Sequence, residues 1–255
     1  MLKVGIFGAT GRMGKLLIEC LENDKDTVLC SIYVREKFDG LLRDVIVTND
    51  VVTLLKSSDV IIDFSSKEAT HYMLSFAITN PKPIVIGTTG LDSDDILLMK
   101  NASDKMPILY SSNMSRGIFV LNELASIASE YLLDSDVEIS EIHHRDKKDA
   151  PSGTALKLAE ICANARGLPL DSNRVSNRNG IIGERKKDAI GVVSLRGGDI
   201  VGKHTVGFYL DGEYIELTHN ATNRMTFAKG AVDACKWLYK QDSGLYSIKD
   251  IIGVS

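Results

Sequence analysis

Through the first 114 residues, apolar positions come as short unbroken runs that alternate with stretches of helical period. The runs at 2–7, 27–34, 44–48, 59–64, 83–87 and 106–111 have strand length, and their uniformly apolar character is that of strands covered by helices on both faces. Between them, Leu16, Leu17, Cys20 and Leu21 repeat with helical spacing, and residues 67–79 and 93–103 read as two further helices. Strand and helix in regular alternation predict a doubly wound parallel sheet. After Asn113 the rhythm changes. A long helical stretch at 115–132 leads to a strand at 137–143, a basic loop, and a helix carried by Ala155, Leu156, Leu158, Ala159, Ile161 and Cys162. Residues 167–187 are polar and hold the breakers Asn177, Asn179, Gly180 and Gly183, which predicts an irregular segment. Strands then return at 189–195, 204–210 and 214–219 with only short turns between them, the pattern of an antiparallel or mixed sheet. A last amphipathic helix at 224–239 is placed to pack back on the first part. The expected division is one domain from 1–114 with 224–255, and a smaller α+β domain from 115–223.

Composition narrows the function more than the fold. At 255 residues with 44% hydrophobic residues, the chain can bury an ample core, as an ordinary globular protein does. The net charge of -4 excludes a general nucleic-acid binder, because phosphate contacts need a basic face and here the cations are local. No apolar run reaches the length of a membrane span, and the N-terminus enters a strand directly without a leader pattern. Cys20, Cys30, Cys162 and Cys235 lack metal or redox spacing, which fits reduced thiols, no metal and a cytoplasmic location.

Two stretches carry candidate chemistry. The first is Gly8-Ala9-Thr10-Gly11-Arg12-Met13-Gly14, between the first strand and the first helix. Glycines there let backbone approach a pyrophosphate, and the helix N-terminus complements its charge. Thr10 takes the place of the middle glycine of the usual spacing, and Arg12 can reach a phosphate. Gly87-Thr88-Thr89-Gly90 and Ser111-Ser112-Asn113-Met114 end two later strands, where ligands of such sheets bind, and are candidates for lining the nicotinamide half. The second stretch is His143 to Ala155. His143, His144, Arg145, Lys147 and Lys148 crowd into six residues, and Ser152-Gly153-Thr154 then opens a helix with Ser152 as N-cap. Cations beside a helix N-terminus suit a carboxylate, and imidazoles stand within reach for proton transfer.

These motifs carry a resemblance that runs nearly end to end. The chain resembles the 4-hydroxy-tetrahydrodipicolinate reductases (dihydrodipicolinate reductases) of the diaminopimelate route to lysine. It does so through the turn at Gly8 to Gly14, Gly87 to Gly90, His143 to Ala155, Gly183 to Arg185, Arg196 to Val206, and Arg224 to Ala231. The resemblance implies a Rossmann domain plus a mixed-sheet substrate domain, in a cytoplasmic homotetramer without metal. It implies hydride transfer from NADPH or NADH to a cyclic unsaturated dicarboxylate. His143 would be the proton donor or acceptor and Lys147 the proton donor, with His144, Gly153 and Thr154 holding the substrate's carboxylates. Two features depart from the family pattern: Ser111-Ser112 stand where alanines are usual, and no acid ends the second strand.

The second departure bears on the cofactor. An Asp or Glu at the end of that strand binds the adenosine ribose and repels a 2′-phosphate. Here Val34 is followed by Arg35, Glu36 and Lys37. Arg35 can grip a 2′-phosphate with Lys37 adding to it, while Glu36 can restore some affinity for the non-phosphorylated form, so dual use with NADPH preferred is expected. Two other classes share parts of the pattern. An amino-acid dehydrogenase of similar build has no use for the paired histidines, and a dinucleotide sensor needs only the first domain. His71, His204, His219 and Trp237 are expected to serve structure.

Overall fold

The computed structural model describes residues 1–36, 38, 40 and 42–253. These residues divide into two compact units, Met1–Ser115 with Arg224–Ser255, and Arg116–Asn223. In chain order the first unit opens with β1 (Leu2–Phe7), α1 (Arg12–Glu22), β2 (Thr27–Tyr33), β3 (Ile46–Thr48), α2 (Val51–Ser57), β4 (Val60–Asp63), α3 (Lys67–Ala77), β5 (Ile84–Ile86), α4 (Ser93–Ser103) and β6 (Pro107–Tyr110). The second unit holds α5 (Arg116–Tyr131), β7 (Asp136–His143), α6 (Gly153–Ala165), α7 (Leu170–Asn173), β8 (Arg174–Val175), β9 (Ile190–Arg196), β10 (Gly202–Tyr209) and β11 (Tyr214–Ala221). The chain then returns to the first unit with α8 (Met225–Leu238), β12 (Gly244–Tyr246) and α9 (Ile248–Ile252).

The first sheet is seven-stranded, in the order β12-β6-β5-β4-β1-β2-β3, with every pair parallel. Its unbroken apolar strands divide their side chains by period two between two cores. Val4, Ile6, Val60, Ile62, Val85 and Leu109 pack beneath α1 and α8. Phe7, Ile61, Ile84, Ile86 and Ile108 pack beneath α2, α3 and α4. The strand order reverses between β1 and β4, so the carboxyl ends of these two strands open the crevice where such sheets bind ligands.

The second sheet has the order β11-β10-β7-β9-β8 and is mixed. β10 pairs antiparallel with both β7 and β11, while β7 and β8 pair parallel with β9. β9 and β10 are therefore no hairpin, although a short turn joins them. β7 lies between, and the turn crosses its end, where Gly197 N–H donates to the His143 carbonyl (3.0 Å) and Arg145 N–H to the Gly198 carbonyl (3.1 Å). α5 and α6 cover one face through Ile118, Leu121, Leu158 and Cys162 against Val137, Ile139, Val192, Val206 and Phe208.

Several expectations from sequence shift. Asp44 has φ 57°, outside the strand region, so β3 starts at Ile46 and not at 44. The span 167–187 is not wholly irregular: α7 and β8 lie inside it. Beyond them Arg178 forks onto Glu138 (2.7 Å to each oxygen), and Arg185 reaches both Asp136 (2.7 Å) and Glu138 (3.1 Å). α2, β12 and α9 were not foreseen; the two helices have 7 and 5 residues and the strand 3, too few for periodicity to declare itself.

Candidate active site

The glycine turn of the first unit is shaped by the approach of two strand ends. Gly8 has φ +91°, and a Cβ there would stand 2.5 Å from the Phe64 carbonyl oxygen, so no other residue fits without strain. Gly11 N–H donates to the Gly8 carbonyl (3.1 Å), and α1 begins with Gly11 at its N-cap and no capping side chain. Side chains do cap the next three helices: Asp50 at α2, Ser66 at α3 and Asp92 at α4. The start of α1 thus keeps its amide groups for another acceptor, which fits a dinucleotide phosphate.

Two hollows flank this turn and share Gly11, Phe64 and Ser65. One, of about 230 Å³, runs along Gly8, Thr10, Tyr33, Val34 and Arg35. The other, of about 430 Å³, runs along Arg12, Met13, Gly87, Thr88, Thr89, Ser112, Asn113 and Met114. Most of the residues singled out from sequence therefore line one groove. Ala9 is an exception, since its side chain is fully buried in the core. Ser111 is another, because its hydroxyl closes its own turn on the Asn113 carbonyl (2.7 Å). No Asp or Glu lines the smaller hollow among the described residues; Lys37 lies outside them. Sequence reasoning missed Phe64 and Ser65, which follow β4 at the reversal of strand order. Beneath them the fully buried Asp63 accepts hydrogen bonds from Ser65 N–H (3.0 Å), Ser65 Oγ (2.6 Å) and Thr70 Oγ1 (2.5 Å). Burial pushes its carboxyl up to about 6, against these hydrogen bonds.

In the second unit the chemistry gathers where three strands end. Alternation along β7 puts Glu141 and His143 on the side that faces α5 and α6, the side of Val137 and Ile139. Register then sets Arg196 of β9 beside His143 and His204 of β10 beside Glu141. Glu141 has no exposed surface, and both of its oxygens are met by hydrogen-bond donors. Arg196 Nη1 (2.9 Å) and His143 Nδ1 (2.5 Å) meet Oε2, while Arg196 Nη2 (2.8 Å) and Ser152 N–H (3.1 Å) meet Oε1. Burial by itself raises the Glu141 carboxyl, but Arg196 and His143 outweigh it and hold it down at about 2.

Burial pushes the His143 imidazole below its ordinary value, more than Glu141 pulls it up. Burial and then the neighbouring His143 push His204 down to about 4. The two rings meet edge to face at 5.1 Å. His204 Nε2 pairs with Ser152 Oγ (3.1 Å), the structural hydrogen bond expected of it. Ser152 caps α6 as anticipated, its Oγ accepting from Ala155 N–H (3.3 Å), so Gly153 and Thr154 form the first turn beside this cluster. Lys147 follows in the loop, with its ammonium on both Asp149 oxygens (2.8 and 2.9 Å). His144 stands outside the hydrogen-bonded cluster.

Family models described as dihydrodipicolinate reductase, N-terminus and C-terminus, match residues 2–114 and 117–252. The chain is 59% identical to the 4-hydroxy-tetrahydrodipicolinate reductase of Helicobacter hepaticus, over the full length of both chains. The chain belongs to the dihydrodipicolinate reductase family. A reductase of that name from Campylobacter jejuni is 55% identical, again over the full length of both. Among solved structures, the dipicolinate-bound dihydrodipicolinate reductase of Paenisporosarcina sp. TG-14 shares the fold, with TM-score 0.80, 24% identity and 97% of each chain covered. As a member of this family the chain is an oxidoreductase that uses a nicotinamide dinucleotide.

Within that family assignment, Glu141 and Arg196 were not foreseen as site residues. An acid two positions before His143 in a strand shares its face, a signal that was present in the sequence. Arg196 gave no such signal, because it meets Glu141 only through the pairing of β7 with β9.

Proposed function

We propose that this dihydrodipicolinate reductase converts 4-hydroxy-tetrahydrodipicolinate to tetrahydrodipicolinate in the cytoplasm, as a homotetramer that prefers NADPH and also accepts NADH. The first unit binds the dinucleotide and the second binds the substrate. The observation that carries this reading is the cluster itself: a buried, ion-paired carboxylate holds His143 beside the first turn of α6. A dicarboxylate suits that place, since the helix start and the local cations both favour anions. The dipicolinate held by the Paenisporosarcina reductase is of the same chemical class.

When bound, the reduced nicotinamide supplies the hydride. His144 and the Gly153-Thr154 turn hold the substrate's carboxylates, His143 moves a proton to or from the substrate, and Lys147 donates the proton that completes the reduction. Thr88, Thr89, Ser112, Asn113 and Met114, which line the larger hollow, would hold the nicotinamide half of the cofactor, and the turn from Gly8 to Met13 would hold its phosphates.

The test is oxidation of the reduced cofactor in a mixture coupled to the synthase that makes the substrate. Turnover is expected for the wild type, and binding without turnover would overturn the reading. General acid–base groups contribute about 10²- to 10⁴-fold, so His143→Ala and Lys147→Ala should each lower turnover by at least about tenfold while the cofactor still binds.

A further inference from the structure

The Glu141 carboxylate sits where one anion serves two neighbours. Arg196 grips both of its oxygens, and the first N–H of the α6 cap, that of Ser152, meets one of them. An ionised carboxylate only accepts hydrogen bonds, so its 2.5 Å contact with His143 Nδ1 requires the ring proton to be on Nδ1. In the neutral imidazole the lone pair then lies on Nε2. Nε2 makes no hydrogen bond among the described residues, and β10 turns a glycine toward it. A Cβ at Gly202 would stand 3.0 Å from Nε2, so any other residue would press on this nitrogen.

We propose that Glu141 is a positioning residue for the reaction: it fixes His143 in the Nδ1–H tautomer, presents Nε2 as the proton-transfer atom, and through Ser152 holds that atom in register with the start of α6. This inference rests on His143 being the proton-transfer group. Nδ1 keeps its proton throughout. A proton taken up at Nε2 makes an imidazolium whose charge Glu141 offsets, and the same N–H bond breaks when the proton leaves. Arg196 keeps Glu141 ionised and therefore incapable of donating to the ring.

The charged and titratable groups that face His143 are Glu141 on its own strand, Arg196 on β9, His204 on β10 and Lys147 from the following loop. Glu141 alone of these pulls the ring toward the protonated form. Glu141→Gln therefore removes the one favourable charge and leaves Arg196 in place. The limb of the kcat/KM pH profile that belongs to His143 should move about 1 to 3 pH units lower. Turnover should fall at least about tenfold with little change in substrate KM, because the amide can hold the wrong tautomer. A role in folding alone would lower the amplitude and leave the limb where it was, and that result would overturn the proposal.

Because Arg196 faces a donor whichever way the amide is turned, the wild type supplies a second measurement. Nitrogen-15 spectra of histidine-labelled protein, with His143 assigned by the signal lost in His143→Gln, should show Nδ1 protonated and Nε2 bare at neutral pH. A protonated Nε2 would sink the proposal whatever the variant does. The two readings separate cleanly: an active His143→Ala overturns the assignment of His143 itself. An inactive His143→Ala beside an unaffected Glu141→Gln overturns only the positioning role.

Discussion

Asp63 and His204 are both buried, and burial drives both toward their neutral forms, with opposite consequences for stability. His204 titrates near 4 in the folded chain and near 6.5 when unfolded, so its contribution is present above pH 6.5 and is lost as pH falls toward 4. Asp63 titrates near 6 folded and about 3.9 unfolded, so its contribution is present below that unfolded value and is lost as pH rises through 6. Across pH 4 to 6 the two slopes oppose each other, each near one proton. Asp63→Asn removes one of them and should expose the other. Relative to the wild type, the variant's unfolding free energy should gain about 1.5 kcal/mol more between pH 4.5 and 6. Urea denaturation at the two pH values measures this, and parallel pH dependences in the two proteins would mean that Asp63 is ionised throughout.

Among elements, the end of β2 is where the proposed preference for NADPH is open to test. A strand through residue 34 was expected; β2 stops at Tyr33, whose ring stacks on Phe7 with centroids 4.5 Å apart. Val34 N–H still bonds the Thr48 carbonyl (2.9 Å) and its side chain is buried, and the exposed Arg35 that follows it also lines the smaller hollow. Glu36 does not line that hollow, which weakens the case for it as a ribose acceptor. A charge-assisted contact to a 2′-phosphate contributes about 1.5 to 3 kcal/mol, equal to roughly tenfold to a hundredfold in affinity. Arg35→Ala should therefore lower the ratio of kcat/KM for NADPH over NADH by that factor. A wild-type preference for NADH, or an unchanged ratio, would count against Arg35.

For the whole molecule, the second sheet leaves one face uncovered among the described residues. α5 and α6 cover one face, and the other carries the exposed Val193, Leu195, Tyr209 and Tyr214 between polar positions. On that face Thr205 and Thr218 share a hydrogen bond (2.9 Å), Tyr209 reaches Glu216 (2.8 Å), and the two tyrosines stack. An exposed apolar patch of this kind on a sheet suits pairing with a second copy. Light scattering should give the mass of four chains, and Leu195→Asp with Val193→Asp should lower it; a monomeric wild type would refute the tetramer. Within the described residues, no helix is long and apolar enough to cross a membrane, and no cluster of His, Cys, Asp and Glu could hold a metal ion.

What could be read from sequence was local. The alternation of apolar runs and helical stretches, the turn at Gly8 to Gly14 and the Ser152 cap all depend on residues within one or two turns of each other, so spacing suffices. The basic stretch at His143 could be found in the same way, as could the change from parallel to mixed sheet. Pairing across the chain could not. Glu141 and Arg196 are 55 positions apart, and only the parallel register of β7 with β9 brings a guanidinium to a buried carboxylate. The placing of β7 between β9 and β10 contradicts the hairpin that the short turn suggests, and it is this placing that sets His204 beside Ser152. Sequence pattern determined which residues form strands and which helix starts can receive an anion. Tertiary structure decided which strand lies beside which, because neighbour choice is set by the burial of whole faces and leaves no periodic trace in the chain.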